Sequence, residues 1–157
     1  MSKIIYPVFW VLTFLTVSFL IGQVTQSQML WYQTLDKSPF NPPKVAFPIV
    51  WSTLYIILAL VGHTLYKFAK SSQITKNVFY IFMVYMAVNW AWSFLFFAGH
   101  LLWFSFFWLL LSLALLIYLF FKTWASKHKV VAIALLPIII WSLYAAYLNG
   151  YIAIANP

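Results

Sequence analysis

Five long apolar runs, parted by short polar breaks, leave this chain very few folds to choose from. They extend over about Ile4–Val24, Val45–Tyr66, Val78–Ala98, Leu101–Phe121 and Val130–Ile154. At about 1.5 Å of rise per residue, each is long enough to cross roughly 30 Å of hydrocarbon as a helix. In lipid every backbone N–H and C=O needs a partner within the protein, so only helices and closed barrels can span it. The runs are continuously apolar rather than alternating, which disfavours a barrel. The reading is an all-α membrane protein, a five-transmembrane-helix bundle formed as one domain over residues 1–157. A composition of 66% hydrophobic and 6% charged residues fits that class. Ile4–Gly22 behind Lys3 has some character of a signal peptide. It is long for one, and Gln23–Gln26 offers no small-x-small cleavage site, so we read it as a retained first span.

Nine lysines, no arginine and one acid give a net charge of +8. The lysines sit singly at the ends of apolar runs, as interfacial and topological residues do. Phosphate clamping and base readout favour arginine, so no nucleic-acid partner is expected. Lys3, Lys67, Lys70, Lys76, Lys122, Lys127 and Lys129 fall on one side, against Lys37 and Lys44 on the other. That bias predicts a cytoplasmic N-terminus, with the C-terminus and first loop outside. No cysteine is present, which removes disulfides and thiolate metal sites.

The break between the first two runs carries the only acidic residue, Asp36, within a polar, proline-stiffened stretch from Trp31 to Trp51. Loops of that length without structure of their own are usually binding loops or lids, and we expect a binding loop at about 25–44. Asn41 ahead of Pro42 and Pro43 has the form of a helix N-cap, with Pro48 delaying or kinking the helix that follows. Pro137, inside the fifth run, should free the carbonyl of Ile133.

Few residues can carry chemistry. Asn89 and Ser93 lie four apart on the third span, on a face with Tyr85, Phe96 and His100. An unpaired amide there is expensive. Asn89 is therefore either a hydrogen bond between helices or a polar anchor in a ligand cavity. Trp10, Trp103 and Trp124 suit an interfacial aromatic belt. Trp51, Trp92 and Trp141 fall deeper, beneath the loop, where belt, bundle packing and an aromatic cage for a flat ligand all stand open. Trp141, Ala145, Leu148 and Ile152 form one stripe on the fifth span. Ala146 with Gly150, and Ala87 with Ala91, have the small-xxx-small spacing of close helix contact. His63 and His128 fall on one side and His100 on the other, so no shared metal site is expected. One acid excludes paired-carboxylate catalysis, and no phosphate cradle or nucleophile elbow is present. A lone acid beside Lys37 reads as loop-shaping.

Three blocks carry a resemblance: WYQTLDKSPFNPPKVAFPIVWSTLY (Trp31–Tyr55), NWAWSFLFF (Asn89–Phe97) and LPIIIWSLYAAYLNGYI (Leu136–Ile152). In this order they resemble the TspO/MBR family of tryptophan-rich sensory proteins. The resemblance implies a homodimeric receptor with a cavity under the first loop, taking porphyrins or haem as ligands rather than as a required cofactor. Isoquinoline-type drugs, lipid and sterol are further ligands it implies, and a bacterial membrane is the expected host. By motif, the ligand contacts would be Trp31, Tyr32, Trp51, Asn89, Ser93, Trp141 and Ala145. Trp51 and Trp141 match tryptophans linked to light-dependent porphyrin breakdown, so an enzyme is one alternative; a facilitative transporter is another. Lys37 or Lys44 could meet porphyrin carboxylates. The chain departs from the pattern at Phe40, Lys44-Val45 and Pro48. It also lacks a basic residue after Tyr151, which leaves the proposed sterol motif incomplete.

Overall fold

The computed structural model describes residues 2–157, with side chains from Ile4 onward. The Lys3 side chain, counted in the topology above, lies outside the described residues. Six helices follow one another: α1 (Ser2–Ser27), α2 (Met29–Thr34), α3 (Ala46–Ala69), α4 (Gln73–Ser93), α5 (Leu102–Ala125) and α6 (Lys129–Ala155). A π-helical stretch, Phe94–Ala98, prolongs α4. Among the described residues, five helices are long and apolar enough to cross a membrane, as the five runs predict.

Helix ends depart from the apolar segments by a few residues, most at the start of α4. α4 begins at Gln73 rather than Val78, where the Ser72 hydroxyl accepts the Thr75 backbone N–H at 3.2 Å. Two expectations for the loop are corrected. Met29–Thr34 is helical, so the stretch does have structure of its own. Asn41 is not an N-cap: α3 starts at Ala46, and the Asn41 side chain instead accepts a hydrogen bond from the Tyr32 hydroxyl. Pro48 becomes the third residue of that delayed helix, where a backbone N–H would have no intrahelical partner anyway. Pro137 is accommodated inside α6.

α1 packs on α3 and α4, α3 on α4 and α6, α4 on α5, and α5 on α6. The helices thus close a ring in the order α1, α3, α6, α5, α4. The lysine-rich half is solid, with Leu58, Phe82, Tyr85, Met86, Leu116 and Leu135 sealed from solvent. Gly62 makes this packing possible: a Cβ there would stand 2.8 Å from both the Trp10 and Phe82 rings. Trp10 is part-buried there, packing among Phe14, Tyr66 and Phe79. Gly150 serves α5 in the same way, a Cβ falling 3.0 Å from the Phe106 ring. The Ala146–Gly150 spacing is thus used within the bundle, whereas Ala87 is exposed.

Replacing Gly62 by leucine is expected to overpack the α1–α3–α4 junction at a cost of about 1–3 kcal/mol. Gly22→Ala, with open space around its Cβ, is expected to be near neutral. Unfolding in mixed micelles compares the two, and equal stabilities would contradict this packing.

Candidate functional site

Above the solid half the bundle is hollow. Tyr55 on α3 and Asn89 on α4 meet across the interior, the Asn89 amide donating to the Tyr55 hydroxyl at 3.1 Å. Both residues are buried and together form the floor of a cavity of about 630 Å³. That volume lies within the range of small-molecule sites, which run roughly 300–1,000 Å³. The two readings of Asn89 are both met, since one side chain ties helices together and lines the cavity.

The walls come from four helices. α3 contributes Trp51, α6 contributes Trp141, Ala145 and Leu148, α4 contributes Trp92 and Ser93, and α1 contributes Leu15 and Ser18. The stripe read from α6 does face one space: Trp141, Ala145, Leu148 and Ile152 all line it. Trp51 is braced by the Tyr55 ring at 5.6 Å, and Trp141 by Phe47 at 6.2 Å and Tyr144 at 5.4 Å. The buried Trp141 indole N–H has no hydrogen-bond partner. Such a group is costly to leave unpaired.

The roof is the loop, held by α6. Tyr147 and Ser38 hydroxyls pair at 2.8 Å, and the Tyr144 hydroxyl donates to the Phe40 carbonyl at 2.6 Å. Asn156 accepts the Asp36 N–H at 2.9 Å and donates to the Asp36 carbonyl at 3.0 Å. Asp36 thus shapes the loop through its backbone. On the underside Tyr32 is buried against Phe96 and Phe97, its hydroxyl donating to Asn41 at 3.2 Å. Burial pushes the Tyr32 phenol above its ordinary value of 10.0. The neutral donor persists below that value and is lost only as pH rises through the higher folded one. The wide π-helical turns of α4 let two consecutive residues, Phe96 and Phe97, both be buried beneath the roof.

Six of the seven expected contacts, Tyr32, Trp51, Asn89, Ser93, Trp141 and Ala145, come together around this cavity. Trp31 does not join them. It stacks on His100 at 3.8 Å with the rings 12° apart, and His100 also meets the Gln28 side chain at 3.2 Å. Lys44 lies at the cavity, whereas the Lys37 ammonium is folded back onto the carbonyls of Tyr32, Gln33 and Leu35. Sequence reasoning passed over Tyr55 and Asn149. Asn149 accepts the Trp92 indole N–H and the Ser105 hydroxyl at 3.1 Å each, and donates to the Leu102 carbonyl at 2.9 Å. It thereby fixes a wall tryptophan to α5 and α6. The signal that found Asn89, an amide inside an apolar run, applies equally to Asn149.

The cavity also opens sideways. Phe19 and Gly22 on α1, and Pro48 and Ser52 on α3, line it and are exposed. α1 is the least buried of the five long helices. The opening between α1 and α3 therefore lies on the flank of the bundle. No group of three His, Cys, Asp or Glu able to hold a metal occurs among the described residues, and no histidine lines the cavity.

A model of the TspO/MBR family matches residues 9–155. Similar proteins include the tryptophan-rich protein TspO of Chlorobaculum tepidum, 29% identical over 91% of this chain and 90% of that protein. Protein CrtK of Rhodobacter capsulatus is 29% identical over 81% of this chain and 79% of its own length. The translocator protein of Bos taurus is 29% identical over 83% and 78%.

Replacing Asn89 by leucine strands the Tyr55 hydroxyl in the cavity floor, at an expected cost of about 1–3 kcal/mol. Adding Tyr55→Phe removes the stranded group and is expected to restore most of that loss. A double-mutant cycle on unfolding free energies measures this. Strictly additive losses would contradict the floor as described.

Proposed function

This chain belongs to the TspO/MBR family of integral, multi-pass membrane proteins, and on that footing we propose that it is a receptor for flat, largely apolar tetrapyrroles. Protoporphyrin or haem enters the roofed cavity and lies against Trp51 and Trp141. The observation that carries this reading is the convergence of aromatic walls from α3, α4 and α6 on one cavity with an amide–phenol floor. Flat π-systems gain from offset or edge-on contact with such rings. Lys44 at the cavity supplies a cation for a porphyrin carboxylate. The unpaired Trp141 N–H is a donor that a ligand acceptor would satisfy after a small rotation of the ring. Without a histidine in the lining, stacking rather than imidazole ligation would hold haem. Isoquinoline-type compounds, lipid and sterol are smaller or more flexible occupants of the same space.

The lateral gap between α1 and α3 supports entry from the bilayer, since an apolar ligand is concentrated there. The lysine bias supports an orientation with the N-terminus cytoplasmic and the roof outside. A homodimer in a bacterial membrane completes the proposal. No charged residue forms the cavity floor to couple an ion to transport, which argues against active transport and leaves facilitative passage as an alternative to the receptor reading.

A second reading is favoured by one observation. Trp51 and Trp141 line the same cavity, so a porphyrin excited by light would sit beside oxidisable indoles with dioxygen as the oxidant. Absorbance loss under illumination, compared with the same porphyrin in empty micelles, separates this reading from binding alone.

Titration of protoporphyrin into the purified protein, followed by tryptophan quenching, tests the receptor proposal. Trp51→Ala and Trp141→Ala are each expected to weaken binding by roughly tenfold, the loss of one aromatic contact and its buried area. Trp31→Ala, lying outside the cavity, is expected to change affinity less than either. Wild-type affinity in both cavity variants would remove the assignment.

A further inference from the structure

A groove runs along the outside of the solid half, at the opposite end of the bundle. Its volume is about 480 Å³, and it runs between α3 and α6. Ile57, Leu60 and Ala134 line its length, and Lys127, His128 and Lys129 line its mouth. The arrangement is amphiphilic: an apolar trough along two membrane helices, ending in two lysines at the helix ends.

Three features bear on what fills it. The first is charge. Asp36 is the only acidic residue in the chain, and it is tied to Asn156 at the other end of the bundle. Lys127 and Lys129 therefore have no acidic side chain to pair with. Lys129 rests over the Trp124 ring at 5.3 Å, which leaves ammonium donors free for an anion.

The second feature is the backbone at Lys127. α5 ends with the His128 N–H bonded to the Thr123 carbonyl and the Lys127 N–H to the Trp124 carbonyl. This is the helix stop in which the residue beyond the cap turns left-handed, a position glycine fills at least cost. Here it is Lys127, with φ of 62°. A long cationic side chain held where glycine would be less strained suggests a use for that side chain.

The third is the first turn of α6. It has no side-chain cap and no acidic residue, so its free N–H groups add to the positive field at the same mouth. His128 stacks on Phe68 at 3.9 Å with the rings 16° apart, and this pair walls the groove.

We propose that the α3–α6 groove seats one anionic phospholipid, its phosphate held by Lys127 and Lys129 and one acyl chain lying along Ile57, Leu60 and Ala134. Basic pockets between membrane helices suit such headgroups. An apolar trough in hydrocarbon gains little from an acyl chain alone, because lipid tails are as apolar as the groove itself. Preference for this site therefore rests on the lysines, while the trough fixes where the chain runs. The site is separate from the tetrapyrrole cavity and does not depend on that reading.

Native mass spectrometry of the full chain in detergent, titrated with phosphatidylglycerol or phosphatidylcholine, tests the proposal. The wild type is expected to hold phosphatidylglycerol severalfold more strongly, and inorganic phosphate is not expected to displace it. Lys127→Gly and Lys129→Gln are expected to weaken phosphatidylglycerol by roughly fivefold each, the worth of one lysine near an anionic surface. Lys127→Gly relieves the left-handed strain, so it should keep or raise Tm while losing lipid. Ala134→Phe fills the trough and should lower binding with both lysines intact. Equal affinity for the two lipids would overturn the proposal, as would unchanged binding in the lysine variants. Displacement by phosphate, with Ala134→Phe binding as wild type, would replace it with a headgroup-only site.

Discussion

Where α3 and α4 face each other, a single amide–phenol contact divides the bundle into two halves of different character. Below the Asn89–Tyr55 hydrogen bond, side chains fill the interior and the helices close around Gly62. Above it the same helices stand around open space. A polar pair is well suited to that boundary. An aliphatic pair would gain little there over contact with lipid tails, because the hydrophobic effect does not drive helix association in a bilayer. A hydrogen bond between buried groups is directional, so it sets the spacing of two helices at one level without requiring packing above it. The cavity thus lies between this floor and the Asn149 network and Tyr32–Phe96–Phe97 cluster above it.

The roof follows a similar logic. A hollow end would leave loop backbone without partners, and α6 supplies them. Tyr144, Tyr147 and Asn156 reach up to Phe40, Ser38 and Asp36. These bonds tie the roof to α6, away from α1, which is the least buried wall. Aromatic contacts from Tyr32 to the π-helical turns hold the inner edge of the roof down.

Much of this was legible in the sequence for identifiable reasons. Continuous apolar runs with lysines at their ends dictate five membrane-length helices whatever the packing. The α6 stripe from Trp141 to Ile152 follows from helical periodicity, and one face must look inward. Other features depend on tertiary contact and leave no local sign. The π-helical turns at Phe94–Ala98, which carry Phe96 and Phe97 beneath the roof, have no marker in the run FLFFA. α2 sits amid polar and proline-rich sequence that reads as loop. Trp31 on His100, and Lys37 on its own carbonyls, are choices among partners that spacing alone does not rank. Asn149 carries the same local sign as Asn89, an amide within an apolar run, but only the fold shows its partners Trp92, Ser105 and Leu102. At Asn41 a good capping pattern is overruled by a better partner in Tyr32.

The two ends of the molecule differ in chemistry along the bundle axis. One end offers aromatic faces under a roof, and the other offers cations beside an apolar trough. The account turns on the first. A structure of the protein with bound protoporphyrin tests it most directly. The ring is predicted between Trp51 and Trp141, above the Asn89–Tyr55 floor, with a carboxylate turned to Lys44. A ring seated on the outer helix faces or in the α3–α6 groove, with the roofed cavity unchanged, would contradict it.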